Sequence, residues 1–231
     1  FYRVILGKLS GEIKWYEQAK VIAREQIKVL DHNYQPLLSF HNITRPQLLY
    51  KYALLFHAIA IAYDDPQMEY IAQVNLNEVL SLSSEELGEI DPGTILLFAW
   101  LDHLFQKTIA PHSEPLESSV SSTSLVGWRS QELSAIATVD KNYRGLGAFR
   151  VGDLWIPALG CHTAPLDNPE QFGIFPLKNT SLQIDYDQEY INVHSDFTKI
   201  DTTVYHRMKI QKSSNRIYLP LNVTINDSVS V

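Results

Sequence analysis

The chain has 231 residues, of which 45% are hydrophobic and 19% charged, and its formal net charge is −7. A chain of this length can bury a core without disulfide staples, and its acidic balance argues against direct nucleic-acid binding, because phosphates are neutralised by clustered Lys and Arg. The single cysteine, Cys161, excludes an internal disulfide and a multi-thiolate zinc site, which fits a reducing compartment or a virus-like particle assembled in one. Because no stretch offers a strong catalytic signature, we also expect no metal or other cofactor.

Helical periodicity dominates the first half of the chain. From Ser10 to about Leu30, apolar residues recur every three or four positions, which predicts one helix with Ser10 as its N-cap. A second helix is predicted to begin beside Pro46, whose missing N–H costs nothing in a first turn, and to run to Tyr63.

Two further helices are predicted from their start signals. Pro66 opens the third, "PQMEYIAQVNLNEVLSL". The fourth is "DPGTILLFAWLDHLFQKTIA", in which Asp91 caps the start and Lys107 lies near the end, where each charge suits the helix dipole.

The longest apolar run is "LLYKYALLFHAIAIAY", from Leu48 to Tyr63. It is shorter than the roughly eighteen residues that a membrane span needs, and it contains Lys51 and His57. It therefore predicts a buried core helix, with His57 as a hydrogen-bonded core residue, and no membrane association.

The second half changes in character. Residues 113–127 are predicted to be a Ser-rich linker, followed by a short helix that starts near Arg129 and ends before Gly145 and Gly147, which we interpret as a hinge. Beyond Leu154 the segments alternate between apolar and polar residues, which predicts antiparallel strands. The fold class is therefore predicted as α+β, with about four helices in a domain over 1–112 and a mixed region, ending in a β unit, over 128–231.

The stretch "YINVHSDFTKIDTTVYHRMKI" contains the residue types of a metal-binding triad: His194, Asp196 and His206. Successive strand residues point to opposite faces, and the apolar alternation places His206 with the buried set and the other two with the polar set. Because metal–ligand bonds are only about 2 Å long, residues on opposite faces cannot share an ion. We therefore predict no metal site here.

Three other patterns carry weak catalytic signals. Cys161 and His162 are adjacent, so on an extended chain they point apart and make a poor nucleophile and base. "RGLGAFRVG" lacks the third glycine of a phosphate-binding loop, and it does not open a helix. Asp185, Asp187 and Glu189 alternate along one strand face, but no Gly-anchored calcium loop surrounds them.

By elimination, the sequence favours a non-catalytic structural or adaptor protein of a large oligomeric assembly, because low charge and abundant aromatic residues suit broad interfaces. Its general layout, with an apolar helix ending in "AYDDPQMEYIAQ", resembles that of neck and connector proteins of tailed bacteriophages. We therefore expect a virion or cytoplasmic location, and as partners other protein subunits, with the chain forming a homo-oligomer within the larger complex. The alternative is a metal-dependent hydrolase or oxygenase whose site would comprise His162, Asp167, His194 and Asp196.

Overall fold

The chain is α+β, with helices first and antiparallel strands after them, which confirms the predicted fold class. The computed structural model describes residues 1–40, 43–138, 147–159, 162–163, 173–174, 181–186, 190–199, 202–212, 216–218 and 221–225. The chain divides into two compact units, of which the first is Phe1–Pro36 with Asn42–Leu116 and the second is Leu37–His41 with Glu117–Val231.

The first unit is helical. Its described residues form α1 (Tyr2–Ser10), α2 (Ile13–Ile27), α3 (Arg45–Tyr63), α4 (Pro66–Leu80), α5 (Ser84–Leu87) and α6 (Pro92–Phe105).

Two predicted helix boundaries were wrong. The helix predicted from Ser10 corresponds to α2, which begins only at Ile13, and α1 before it was not predicted. Ser10 is the last residue of α1, which Gly11 ends with a left-handed φ of 73°, and its hydroxyl donates to the Leu6 carbonyl instead of capping α2. The last helix ends at Phe105, since Gln106 adopts a φ of 49°, so Lys107 lies beyond the helix.

The helix α3 is the core of the first unit, as the sequence predicts. It packs mainly against α4, and its buried residues lie on all sides of the helix. Leu49 and Tyr50 of α3 form a buried cluster with Val79 and Ile90. Within the described residues, no helix combines the length and the apolar character that a membrane crossing requires.

The second unit is built from antiparallel strands. Its described strands are β1 (Ser119–Ser121), β2 (Leu125–Arg129), β3 (Leu133–Thr138), β4 (Gly147–Val151), β5 (Leu154–Leu159), β6 (His162–Thr163), β7 (Gly173–Ile174), β8 (Ser181–Tyr186), β9 (Tyr190–Lys199), β10 (Thr202–Gln211), β11 (Arg216–Tyr218) and β12 (Leu221–Ile225).

The described strands form three sheets. Strands β1 to β5 make a meander in chain order, and β6 pairs with β7. In the third sheet the order is β11-β10-β9-β8, and β12 pairs with the part of β10 that β11 leaves free. A cluster of Val126, Leu133, Ala135 and Ala137 forms a core against which Ile217 of the third sheet packs.

The short helix predicted near Arg129 was wrong, because this stretch forms β2, a turn and β3. Ala135 and Ala137 favour a helix in isolation, but every residue of β3 is buried between its two neighbouring strands and the core. Pairing and burial therefore outweigh the local helix propensity. The β structure begins at Ser119, well before the predicted start near Leu154.

The hinge predicted at Gly145 and Gly147 is also corrected. Gly145 lies outside the described residues, and Gly147 is the first residue of β4, with three strands of the same sheet preceding it. A Cβ at Gly147 would collide with the Ile136 carbonyl of β3. This glycine thus permits the close approach of two strands within a sheet and does not separate helices from strands.

The segment 113–127, predicted as a linker, contains β1 and the first residues of β2. The boundary between the two compact units falls after Leu116. The chain also changes from one unit to the other before α3, because Leu37 to His41 belong to the second unit. The Trp155 indole N–H donates to the Leu37 carbonyl at 2.9 Å, so this short segment is tied to β5.

Candidate functional site

The most distinctive polar cluster lies among α3, α4 and α6. His57 of α3 places its Nδ1 2.8 Å from Oε2 of Glu69 and its Nε2 2.8 Å from Oδ1 of Asp102. His57 and Glu69 are both buried, whereas 56% of the Asp102 side chain is exposed. One imidazole therefore joins three helices through two carboxylates.

Each member of the cluster is held in place by its local structure. The ring of Phe98 stacks on the imidazole with centroids 4.5 Å apart and planes inclined by 13°. Gln73, one turn after Glu69 on α4, donates to the second carboxylate oxygen at 3.1 Å. Asp65 caps the start of α4 by accepting from the Gln67 and Met68 amides, which fixes the first turn that carries Glu69.

Burial lowers the pKa of His57, but the hydrogen bonds and negative charges of Glu69 and Asp102 outweigh it, so the pKa is raised above the usual 6.5. The protonated ring can donate from both nitrogens at once. A neutral ring has one N–H and could donate to only one of the two carboxylates. The geometry thus fits an imidazolium between two carboxylates.

An open pocket of about 580 Å³ lies beside this cluster and is lined by His57, Asp102, Asn77, Lys107 and the apolar side chains of Leu76 and Ile109, among others. Both ring nitrogens are already engaged, so His57 could act as a base or a metal ligand only after losing a carboxylate partner. Across the residues with described side chains, no group of three or more His, Cys, Asp or Glu is arranged to hold a metal ion. The cluster therefore fits a structural tie between helices better than a reaction centre.

The prediction of His57 as a hydrogen-bonded core residue is confirmed, but sequence reasoning missed both of its partners. Glu69 is one acidic residue in a helix, and Asp102 lies in a stretch that is otherwise apolar. Asp102 offered the stronger signal, because a lone carboxylate in so apolar a helix needs solvent or a partner.

The surface of α6 is the second unusual feature of this unit. Its sequence, PGTILLFAWLDHLF, is almost entirely apolar, yet Leu101 is its one buried residue. Leu96 is 70% exposed, Ile95 46% and Trp100 43%. The equally apolar α3 is buried on all sides, so α6 presents to solvent the kind of surface that α3 hides.

The predicted triad of the β unit can be placed by strand register. In the β9–β10 pair, His206 lies opposite Ser195, whereas His194 lies opposite Arg207 and Asp196 opposite Tyr205. Directly opposed residues share a face of the sheet, and neighbours along a strand alternate. Position 206 is therefore on the face opposite to positions 194 and 196, and the absence of a shared metal site stays a prediction.

The other residues of the alternative enzyme site lie partly outside the described residues. Cys161 and Asp167 are both outside them, whereas His162 begins β6. Among the described strands, β6 pairs with β7, where His162 lies opposite Ile174, and it pairs with neither β9 nor β10. Strand pairing therefore does not join His162 to the positions of His194 and Asp196.

Of the three alternating carboxylates, only Asp185 lies among the described residues. Asp185 lies in β8 opposite Asn192 of β9. Asp187 and Glu189 fall outside the described residues. The interpretation of these three residues as a solvated strand face without calcium stays a prediction.

No model of a protein family matches the chain, no curated protein matches it, and no solved structure matches it.

Proposed function

We propose that this chain is a non-catalytic structural or adaptor subunit of a larger protein assembly. The observation that carries the proposal is the exposed apolar surface of α6, in which Leu101 is the one buried residue. Large contiguous apolar patches on a folded protein are typical of surfaces that another protein covers. The charge content, 19% of residues, is low enough to suit such covered surfaces.

The polar cluster supports the same proposal, because it fixes α6 in place. Asp102 ties α6 to His57 of α3, and Phe98 of α6 stacks on the same imidazole. A helix that is anchored on its inner side and apolar on its outer side can present a rigid docking surface. The likeness of layout to neck and connector proteins of tailed bacteriophages makes a virion particle the assembly that we propose.

The test is particle formation by the full chain. The chain is purified alone and also co-expressed with the products of its neighbouring genes, and both samples are studied by analytical ultracentrifugation, negative-stain electron microscopy and metal analysis. We expect particles that contain several subunits, with no stoichiometric metal. A chain that joins no particle in either sample would overturn the proposal, and stoichiometric iron or zinc would favour the alternative of a hydrolase or oxygenase.

A further inference from the structure

We propose that the attachment of α6 to α3 is a pH-sensitive contact: when His57 loses its proton, the ring keeps its bond to Glu69, releases Asp102 and thereby loosens α6. The proposal concerns how α6 is held and not what α6 binds, so it goes beyond the proposed function. Three observations carry it: one imidazole lies between two carboxylates, the two carboxylates differ in burial, and α6 has one buried residue.

The imidazole of His57 can bind both carboxylates only in its protonated form. Its Nδ1 lies 2.8 Å from Oε2 of Glu69, and its Nε2 lies 2.8 Å from Oδ1 of Asp102. A neutral ring carries one N–H, so its other nitrogen presents a lone pair. A carboxylate can only accept, so a lone pair that faces it makes no bond, and one of the two carboxylates loses its donor when the proton leaves.

Burial decides that Asp102 is the carboxylate that leaves. Glu69 is buried, and a buried carboxylate oxygen without its donor costs far more than one that water can reach. The side chain of Asp102 is 56% exposed and lines the open pocket beside His57, so water can take the place of the imidazole. The neutral ring should therefore keep its proton on Nδ1 and present a bare Nε2 to the position of Asp102.

Loss of the proton weakens both contacts by which α6 meets the imidazole. Asp102 releases Nε2, and Phe98, whose ring centroid lies 4.5 Å from that of the imidazole, then stacks on a neutral ring and no longer on a cation. The one buried residue of α6 is Leu101, and the Tyr50 hydroxyl donates a long hydrogen bond of 3.4 Å to the backbone of α6. A helix with so little buried surface opens more readily than the rest of its unit.

The charges around His57 set the direction of the pH dependence. Burial lowers the pKa of His57, but the hydrogen bonds and negative charges of Glu69 and Asp102 raise it overall above the usual 6.5. Charged groups on the other elements packed against α3 or lining the pocket meet different partners: Lys107 pairs with Asp64, Glu17 of α2 accepts from Tyr63, and Lys8 of α1 lies over the Phe105 ring. Because the folded-state pKa is raised, the contact is complete below the unfolded pKa of about 6.5 and is lost as the pH rises through the folded-state pKa.

The first experiment measures how readily α6 opens, by hydrogen exchange of the full chain from about pH 5.5 to about pH 9. Protection factors of peptides from Pro92–Phe105 are divided by those from Pro66–Leu80 of α4, because protection factors already correct for the intrinsic pH dependence of exchange. We expect this ratio to fall by about two- to fivefold as the pH rises, the range that a largely exposed carboxylate contact contributes. A ratio that stays constant over the whole range would overturn the inference.

Two substitutions on α6 separate the contact from other causes of pH dependence. In Asp102→Asn the amide can accept from the protonated ring and donate to the bare Nε2 of the neutral ring, so the ratio should stay nearly constant. His103→Gln removes the exposed histidine beside it and should retain the fall of the wild type. A fall that persists in Asp102→Asn, or that disappears in His103→Gln, would assign the pH dependence to another group and overturn the inference.

The ring itself reports which carboxylate it keeps. Nitrogen NMR shifts of His57 in the full chain distinguish a proton on Nδ1 from a proton on Nε2 once the pH exceeds the folded-state pKa. We expect the proton on Nδ1, which keeps the bond to Glu69. A proton on Nε2 would mean that Asp102 is kept and Glu69 released, and it would overturn the inference. Neither measurement depends on particle formation, so its failure leaves the proposed function standing.

Discussion

His57 and Glu69 form a buried pair in which Nδ1 and Oε2 are 2.8 Å apart and each side chain is 9% exposed. The pair connects α3 to α4, the two helices that pack most extensively in the first unit. A buried charge is costly unless it is paired and hydrogen-bonded, so each partner depends on the other. The two carboxylates that share His57 differ in exposure, so we expect them to differ in how much they stabilise the fold.

Glu69→Ala should destabilise the protein far more than Asp102→Ala. Removal of Glu69 leaves a buried imidazolium without its main partner, which costs about 3–5 kcal/mol. Asp102 is largely exposed, so solvent screens its contact with His57 and its loss should cost about 1 kcal/mol or less. Urea unfolding of both variants measures the two losses, and equal losses would show that burial does not set the strength of these contacts.

The contribution of His57 should depend on pH. Because the folded protein raises the pKa of His57, the stabilisation is fully present below the unfolded pKa of about 6.5 and is lost as the pH rises through the folded pKa. The difference in free energy of unfolding between the wild type and His57→Gln should therefore shrink as the pH rises above about 6.5. A difference that grows over this range in a pH series of urea unfolding curves would contradict the assignment of a protonated ring.

Leu54→Ala should be strongly destabilising. Leu54 is fully buried in α3, so truncation leaves a cavity and should cost about 2–5 kcal/mol. Leu55 is only partly buried and should lose less, while Leu80→Ala on α4 serves as the exposed control, with a change of about 0.5 kcal/mol or less. Thermal or urea unfolding ranks the three, and a loss at Leu54 no larger than at Leu80 would mean that α3 is not the core.

Limited proteolysis should cut the predicted linker before the helices. Glu114 and Glu117 are exposed and precede β1 in irregular backbone, whereas Glu17 and Glu25 are exposed within α2. Helical backbone resists entry into a protease site, so a glutamate-specific protease should cleave after Glu114 or Glu117 first. Mass spectrometry of the early fragments identifies the cut, and earlier cleavage within α2 would indicate that residues 113–117 are pinned.

The three residues of the suspected triad should respond differently to substitution. His194→Ala and Asp196→Ala should change stability by about 0.5 kcal/mol or less, and His206→Ala, on the other face of the sheet, should cost about 1–3 kcal/mol. A shared metal would instead make the three losses alike, and a chelator would remove the differences from the wild type. Unfolding curves with and without chelator distinguish the two patterns.

The sequence by itself determined that helices come first and antiparallel strands after them, and that α3 is buried. The run from Leu48 to Tyr63 is apolar on all sides, and such a helix has no face that water would stabilise. The proline at position 46 and the caps at Asp65 and Asp91 likewise act locally, within one helical turn. Features that depend on neighbours in the chain are therefore readable from the sequence.

Tertiary structure decided the rest. Ala135 and Ala137 belong to a strand because β2 and β4 pair on either side of them, which no local pattern encodes. Glu69 and Asp102 reach His57 from helices that lie 12 and 45 residues along the chain, and only packing brings them together. The apolar sequence of α6 predicts a helix but does not say whether that helix is buried or exposed. Periodicity does not report which other elements cover a helix.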